Sequence, residues 1–465
     1  MTTLQLALWA ALVAAAAALG GCTRYRAEPL PPAAAIEQPA AVAWDAIELR
    51  ASEIRHPLLP ATTVDMQDGI SPDEAALLAV AANPDLRIAR AARGVAAAQV
   101  IAAGLLPNPQ LSASLDVPTQ DSAAAVTAVS LGAAIDLLGF MTRAAEKDAA
   151  RRGLASVDLG LAWQEWQVAQ LVRLRTYGVM LLDRALALAT DQEREMGASV
   201  GTLREAVGRQ LATRVELGAA DVAYRSSVEA RLTLELQRDT ALVSLARMLG
   251  VDRSSLPPIQ PTSVPFDGDS IGSRDAGAPA LDSLLAGLGS RRLDLQGLRM
   301  GYLSQEARVR ASVLRQFPQI SVGVNRLRDT GKLLTLGPAV SISFPLFNRN
   351  QGEIAVMRAT RAQLQVEYGA RVNEARATIE ALLTEVSFTL QRLENLRASV
   401  AAQQQTVDLY LRALQGGNAD VLTYYNARAD LMNRRLEAVA ALRDLVELAI
   451  ALETESGLRF VATSR

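Results

Sequence analysis

Two stretches of this chain alternate apolar and polar residues with a period of two, and they are copies of one another. In the first, Leu111, Ala113, Leu115 and Val117 alternate with Ser112, Ser114 and Asp116. After a polar turn (Thr119 to Ser122), Val129, Leu131, Ala133, Ile135 and Leu137 alternate with Ser130, Gly132, Ala134 and Asp136. In the second, Ile320, Val322 and Val324 alternate with Ser321, Gly323 and Asn325, followed by the turn Arg328 to Lys332. Leu334, Leu336, Val340, Ile342 and Phe344 then alternate with Thr335, Gly337, Ser341 and Ser343. This periodicity predicts strands over 109–117, 125–137, 318–327 and 333–346. Pro338 falls inside the last of these, where it predicts a bulge or an unpaired position. Adding 209 to a residue number carries Asp85-Leu86 onto Asp294-Leu295 and Pro109-Gln110 onto Pro318-Gln319, with no gap. Such an offset is the mark of internal duplication.

The rest of the pattern is helical. A start signal stands at Ser71-Pro72-Asp73-Glu74, a second at Asn83-Pro84-Asp85, and the helix stops at Gly104. Each hairpin is followed by a long tract without proline: none occurs between Pro118 and Pro257, and none after Pro345. A proline costs about 3 kcal/mol inside a helix, so these windows suit long helices. Each tract is too long for one straight rod and should fold back on itself. The breaks fall at Gly208, Arg209, Gln210, Leu211, Ala212 and Thr213 in the first tract, and at Gly416, Gly417, Asn418, Ala419 and Asp420 in the second. Apolar residues such as Leu171, Leu174, Val179 and Leu182 are spaced as in a coiled coil. Trp163 and Trp166 lie on one helical face and are read as packing. The expected organisation is a signal peptide over 1–21, an extended tether over 22–70, a first repeat over 71–250 with its helical hairpin at 142–250, a linker over 251–280, a second repeat over 281–457 with its hairpin at 350–457, and a tail over 458–465.

Composition narrows the chemistry. Aromatic residues are 4% of the chain and the net charge is -2, so nothing points to nucleic acid. One cysteine and one histidine exclude an intrachain disulfide and a Cys/His metal site within one chain. His56 precedes Pro57 and has no catalytic constellation around it, so an enzyme reading has no support. The apolar run to Leu19 ends in Leu19-Gly20-Gly21-Cys22, the shape of a bacterial lipobox, although Met1-Thr2-Thr3 lacks the usual basic residue. Cys22 is therefore expected to carry a thioether-linked diacylglycerol and an amide-linked acyl chain, with no other cofactor. Thr23, in place of Asp, matches the pattern sorted to the outer membrane.

The strands are about as long as a tilted strand needs to be to cross a bilayer. One face is apolar; the other is Ser, Gly, Thr and Asn, which suits a water-filled lumen. Four strands close no barrel, and an open edge is not tolerated in lipid. Several copies would have to share one barrel.

With these features in place, the chain resembles the TolC-like outer-membrane efflux proteins in their lipoprotein branch. The resemblance rests on Asn83-Pro84-Asp85-Leu86, Gly104-Leu105-Leu106-Pro107-Asn108-Pro109, Phe317-Pro318-Gln319-Ile320 and Phe344-Pro345-Leu346-Phe347-Asn348-Arg349-Asn350-Gln351-Gly352-Glu353-Ile354. It implies a homotrimer with a twelve-stranded barrel in the outer membrane and a periplasmic tunnel of long helices. It further implies that the hairpin tips meet a periplasmic adaptor coupled to a proton-driven inner-membrane pump. The Gly-Leu-Leu-Pro-Asn-Pro and Asn-Arg-Asn-Gln-Gly-Glu-Ile stretches look most like the CzcC-like heavy-metal group. Asp420, at the second break, is read as a helix cap ahead of an aperture residue. The competing class is a periplasmic coiled-coil scaffold lipoprotein without a channel.

Overall fold

The computed structural model describes residues 25–30, 32, 42–60, 63–119, 125–266 and 280–460. The chain divides into Met1–Ala43 and Trp44–Arg465. The first unit's described residues are in neither helix nor strand, and Cys22 lies outside the described residues. The second unit carries the fold.

That unit opens with a helix where the sequence suggests extended chain. α1 spans Trp44–Ser52. Prolines 39 and 57 leave a gap wide enough for it, with Asp45 in its first turn and Arg50 in its last. Trp44 and Ile47 pack on a core that includes Ala51, Val64 and Ile70. The stretch from 44 to 70 is thus part of the folded body. His56 pins it there: its Nε2 donates to the Ala162 carbonyl at 2.8 Å, and its Nδ1 accepts the amides of Leu58 (3.1 Å) and Leu59 (3.2 Å).

α2 (Pro72–Ala82) and α3 (Pro84–Gly104) meet at Asn83. α2 begins in a capping box: Ser71 accepts from the Glu74 amide, and the Glu74 carboxylate accepts from the Ser71 amide at 2.9 Å. Asn83 caps α3 through the amides of Asp85 and Leu86 and donates to the Met248 carbonyl at 2.8 Å. The same side chain thus starts the second helix where Asn83-Pro84-Asp85 signals it and ties that start to the end of the first hairpin.

β1 (Gln110–Asp116) and β2 (Ala128–Asp136) precede α4 (Leu138–Gly208, 71 residues) and α5 (Arg214–Leu249, 36 residues). The second repeat has two short helices, α6 (Leu281–Leu285) and α7 (Leu288–Arg291), then α8 (Leu293–Leu314). β3 (Gln319–Arg328) and β4 (Leu334–Ser343) follow, then α9 (Gln351–Gln415, 65 residues) and α10 (Val421–Ser456, 36 residues). At 1.5 Å per residue α4 is about 107 Å long. α4 starts four residues before the expected 142, because the Asp136 carboxylate accepts the Leu138 amide at 3.0 Å and turns the strand into the helix at once. The four strands form one antiparallel sheet in the order β1-β2-β3-β4. Pro338 sits opposite Val324 in an unbroken register, so there is no bulge; β4 is an edge strand, which tolerates a missing N–H. No helix among the described residues is long and apolar enough to cross a membrane.

The two repeats are clasped by charge. Arg173 of α4 is almost fully buried; its Nε lies 2.8 Å from Asp73 at the start of α2, and its Nη1 pairs with Glu453 near the end of α10. Gln170 bonds both Arg173 and Glu453, and Arg459 reaches the other Asp73 oxygen at 2.8 Å. The Glu453 carboxylate also accepts the Phe460 amide at 2.6 Å. Burial beside this cluster pushes the Tyr177 phenol up to about 12. Beside it, Trp166 is buried and donates to the Thr454 carbonyl, while the Arg292 guanidinium lies 4.8 Å over the Trp163 ring.

Removing one partner of a buried pair strands the other charge and costs about 3–5 kcal/mol. Glu453→Gln should therefore lower the thermal unfolding midpoint of the purified protein sharply, whereas Glu→Gln at the exposed Glu205 should leave it unchanged. Equal midpoints would show that the clasp carries no stability. His56 yields a second expectation. Burial lowers its pKa below 6.5, against the raising effects of the Ala162 bond and the Glu165 charge. The unfolded chain therefore binds the proton first, and stability is present above pH 6.5 and lost as pH falls below it. His56→Asn keeps an acceptor for Leu58 and Leu59 but does not titrate. Midpoints recorded from pH 7.5 to 5 should fall more steeply for wild type than for this variant.

Candidate membrane sheet and hairpin tips

Because the register is continuous, cross-strand partners share a face and the four alternations can be added together. Leu111 pairs with Ala133 and Ala133 with Val324; Leu115 pairs with Val129 and Val129 with Arg328. Val322 pairs with Val340, and Ile320 with Ile342. One face therefore carries Leu111, Leu115, Leu131, Ile135, Ile320, Val322, Val324, Leu336 and Val340 across all four strands. Most of its side chains are left uncovered by the described residues: Leu111 is 83% exposed, Leu336 74% and Val340 62%. The opposite face carries Ser112, Ser114, Ser130, Ser321, Asn325, Ser341 and glycines, together with Asp116, Asp136 and Leu327. Ser130 Oγ bonds Asn325 across the β2–β3 joint at 3.0 Å. At Gly323 a Cβ would lie 2.1 Å from the Ala133 carbonyl oxygen, so the joint between the repeats closes only with glycine there. β1 and β4 each have one unpaired edge.

At the helical end of the sheet, Phe317, Phe344, Leu346 and Phe347 are exposed, Phe347 at 94%. Asn350 adopts a left-handed backbone (φ 60) at the entry to α9 and donates to the Ser312 carbonyl at 2.9 Å. The motif from 344 to 354 thus turns the chain from strand to helix and fixes that turn on α8.

At the far end of the helices are the two breaks. Gly208 closes α4, Arg209 follows it, and Gln210 takes the left-handed position (φ 60). Leu211 donates back to the Ala206 carbonyl at 2.8 Å and is 77% exposed. After Ala212, Thr213 caps α5 in a capping box with Glu216, whose carboxylate is held low by the Thr213 amide and hydroxyl. In the second break Gly416 follows α9, Gly417 is left-handed (φ 72), and Asn418 donates back to the Ala413 carbonyl at 2.8 Å. These are the same helix-closing bonds, made with Gln in one copy and Gly in the other. Ala419 leads to Asp420, which stands at the N-cap position of α10 but makes no capping hydrogen bond with its side chain. Thr423 stands where α5 has Glu216, so the reciprocal partner is missing.

Arg428, which its sequence context does not distinguish from the chain's many other arginines, joins the two hairpins near the tips. Its Nη1 donates to the Tyr424 hydroxyl at 3.0 Å and its Nη2 to Gln192 at 3.3 Å, and it pairs with Glu195 of α4. Met196, Val200, Ala220, Val407, Tyr424 and Tyr425 form the core beneath it. The described residues hold no group of three or more His, Cys, Asp or Glu placed to bind a metal ion.

Residues 285–458 match a family model described as "Outer membrane efflux protein". No curated protein matches the chain. Among solved structures, the CusC channel, reported with the conformational changes accompanying its folding and transmembrane channel formation, aligns with a TM-score of 0.69 and 18% identity, over 88% of this chain and 99% of its own. The outer membrane protein VceC of Vibrio cholerae aligns at 0.68 and 16%, over 83% and 96%. The open-state MtrE outer membrane channel of Neisseria gonorrhoeae aligns at 0.66 and 16%, over 88% and 96%. The chain thus carries a match to the outer membrane efflux protein model over residues 285–458 and shares the fold of these outer-membrane channels over at least 83% of its length.

Proposed function

We propose that the chain is one third of a trimeric exit duct of the outer membrane, serving a tripartite efflux system. The observation that carries this reading is the register of the sheet: except at the Arg326–Arg328 end of β3, the strands place apolar residues on one face and mostly small polar residues on the other, while both edges stay open. In lipid an open edge leaves backbone N–H and C=O groups unsatisfied, so such a sheet must close on copies of itself. Three copies give twelve strands, with β4 of one protomer beside β1 of the next. The apolar face then meets the acyl chains, and the exposed phenylalanines at the helical end form one aromatic girdle. The small polar face lines a lumen that continues into the helical tunnel.

In this reading the tips around Gly208–Thr213 and Gly416–Asp420 meet a periplasmic adaptor, and a proton-driven inner-membrane pump supplies the energy. The duct passes its cargo passively and performs no catalysis. Cargo choice, heavy-metal ions or drugs, belongs to the pump; the lumen-facing sheet surface is mostly Ser, Gly, Thr and Asn, with Asp116 and Asp136 its carboxylates. Cys22 carries a diacylglycerol and an N-acyl chain that anchor the N-terminus in the periplasmic leaflet.

Fractionation of cells, with mass determination of the detergent-extracted protein, checks the proposal for wild type and Cys22→Ala. Wild type is expected in the outer membrane as an acylated trimer, and the variant as an unacylated trimer. A soluble, monomeric wild-type protein without acyl chains would return the chain to the class of periplasmic scaffolds.

A further inference from the structure

The apolar face of the sheet is interrupted at only one rim. Continuing the same alternation as Ile320, Val322 and Val324, β3 places Arg326 and then Arg328 on that face. Arg326 stands between Leu131 and Leu336, and Arg328 between Val129 and Leu334. Both arginines are exposed, and neither forms an ion pair with any of the described residues. Asp329, next to Arg328 in the chain, spends one carboxylate oxygen on the Leu333 amide at 2.9 Å. Lys332, in a left-handed turn conformation (φ 69), adds an exposed ammonium beside them. None of the described residues of either turn is aromatic.

Height decides what these groups meet. Arg328 pairs with Leu334, ten residues along β4 from Phe344. That is about 34 Å along the strand, and about 26 Å along the membrane normal at a tilt of about 40°, close to the roughly 25 Å apolar band of a barrel. With Phe344 at one boundary, Arg328 lies at the other. Arg326 is two residues lower and can extend its guanidinium upward to the same level. An arginine on the lipid face is costly at mid-bilayer and nearly free at the interface. The two guanidinium groups are on the order of 7 Å apart at their Cα atoms, and each can fork onto a phosphate.

We infer that Arg326 and Arg328, flanked by Leu131, Leu334 and Leu336, form a docking site for the phosphorylated glycolipid of the outer leaflet, lipid A. Its phosphate monoesters take the guanidinium forks and its several acyl chains lie on the leucines. The inference rests on the barrel reading above, which sets the hairpin turns in the outer leaflet. A trimer would carry three such sites, each on the lipid side of a β2–β3–β4 surface.

The full-length trimer in detergent, titrated with lipid A and followed by native mass spectrometry, tests it. Wild type should retain lipid A and lose it as salt is raised. Arg326→Gln/Arg328→Gln should bind about tenfold more weakly or worse. Wild type should show the same loss toward enzymatically dephosphorylated lipid A, which decides the matter even if the double variant assembles poorly. Equal binding of the phosphorylated and dephosphorylated forms, or equal binding of phosphatidylglycerol and lipid A, would overturn the site. Absence of any trimer would instead defeat the barrel reading itself, so the two failures are separate.

Discussion

The buried cluster around Arg173 is what lets two copies of one unit act as one body. Arg173 and Arg459 face Asp73 and Glu453, two positive charges against two negative ones. The four groups come from the first helix of the first repeat, its long helix, the last helix of the second repeat and the segment that follows. Taking these charges out of water costs several kcal/mol per ion, and close pairing with added hydrogen bonds offsets it. A well-packed apolar substitute of the same volume could be as stable. It would specify less, because leucine accepts many neighbours while a buried guanidinium accepts only an arrangement in which every N–H meets oxygen. The clasp therefore sets where the second repeat sits on the first. The β2–β3 joint, at the start of α4 and about half its length from Arg173, depends on that placement.

If the sheet forms part of a duct, as proposed, it needs little side-chain chemistry for that role. Its two-faced character follows from register. A slip of one residue at β2–β3 would carry Val322 and Val324 to the polar face and Ser321 and Asn325 to the apolar one. The contact of Gly323 with the Ala133 carbonyl admits no Cβ, and Ser130 meets Asn325 only in the observed register. These two details lock the seam between the repeats, where no tight turn exists to set the pairing. The same register exposes Arg326 and Arg328 as exceptions. In one strand they look like ordinary turn-proximal basic residues; they stand out only after four strands are laid side by side.

Much of this was legible in the sequence because the constraints are periodic. Alternation located all four strands to within a few residues, the absence of proline marked the long helices, and the glycines marked the second break. The illegible parts depend on partners distant in sequence. The segment from 44 to 70 follows the proline-rich stretch 29–39 and holds Pro57 and Pro60, so it reads as part of a tether. Its helix and its pinning by His56 become favourable only against the core of Ala51, Val64 and Ile70 and the Ala162 carbonyl. Pro338 reads as a break because a single strand does not reveal whether it lies at an edge. Arg173, Arg292 and Arg428 are hidden among many arginines on helices where most guanidinium groups are solvated.

The tips show the same division most sharply. Both breaks close their outgoing helices with the same backbone bonds, so the duplication preserved the turn while Gln210 and Gly417 diverged. Their restarts differ. α5 has Thr213 and Glu216 bonding each other's backbone, a local device worth about 1 kcal/mol. α10 begins at Asp420 without a side-chain cap and is held instead by Tyr424 and Tyr425 in the core and by Arg428 reaching Gln192 and Glu195 on α4. The first tip is thus fixed mainly by its own sequence, and the second mainly by its attachment to the first. A local capping signal can be read from four consecutive residues. A tip held through Arg428, whose partner Glu195 lies more than two hundred residues away in the chain, can be recognised only once the hairpins are placed together.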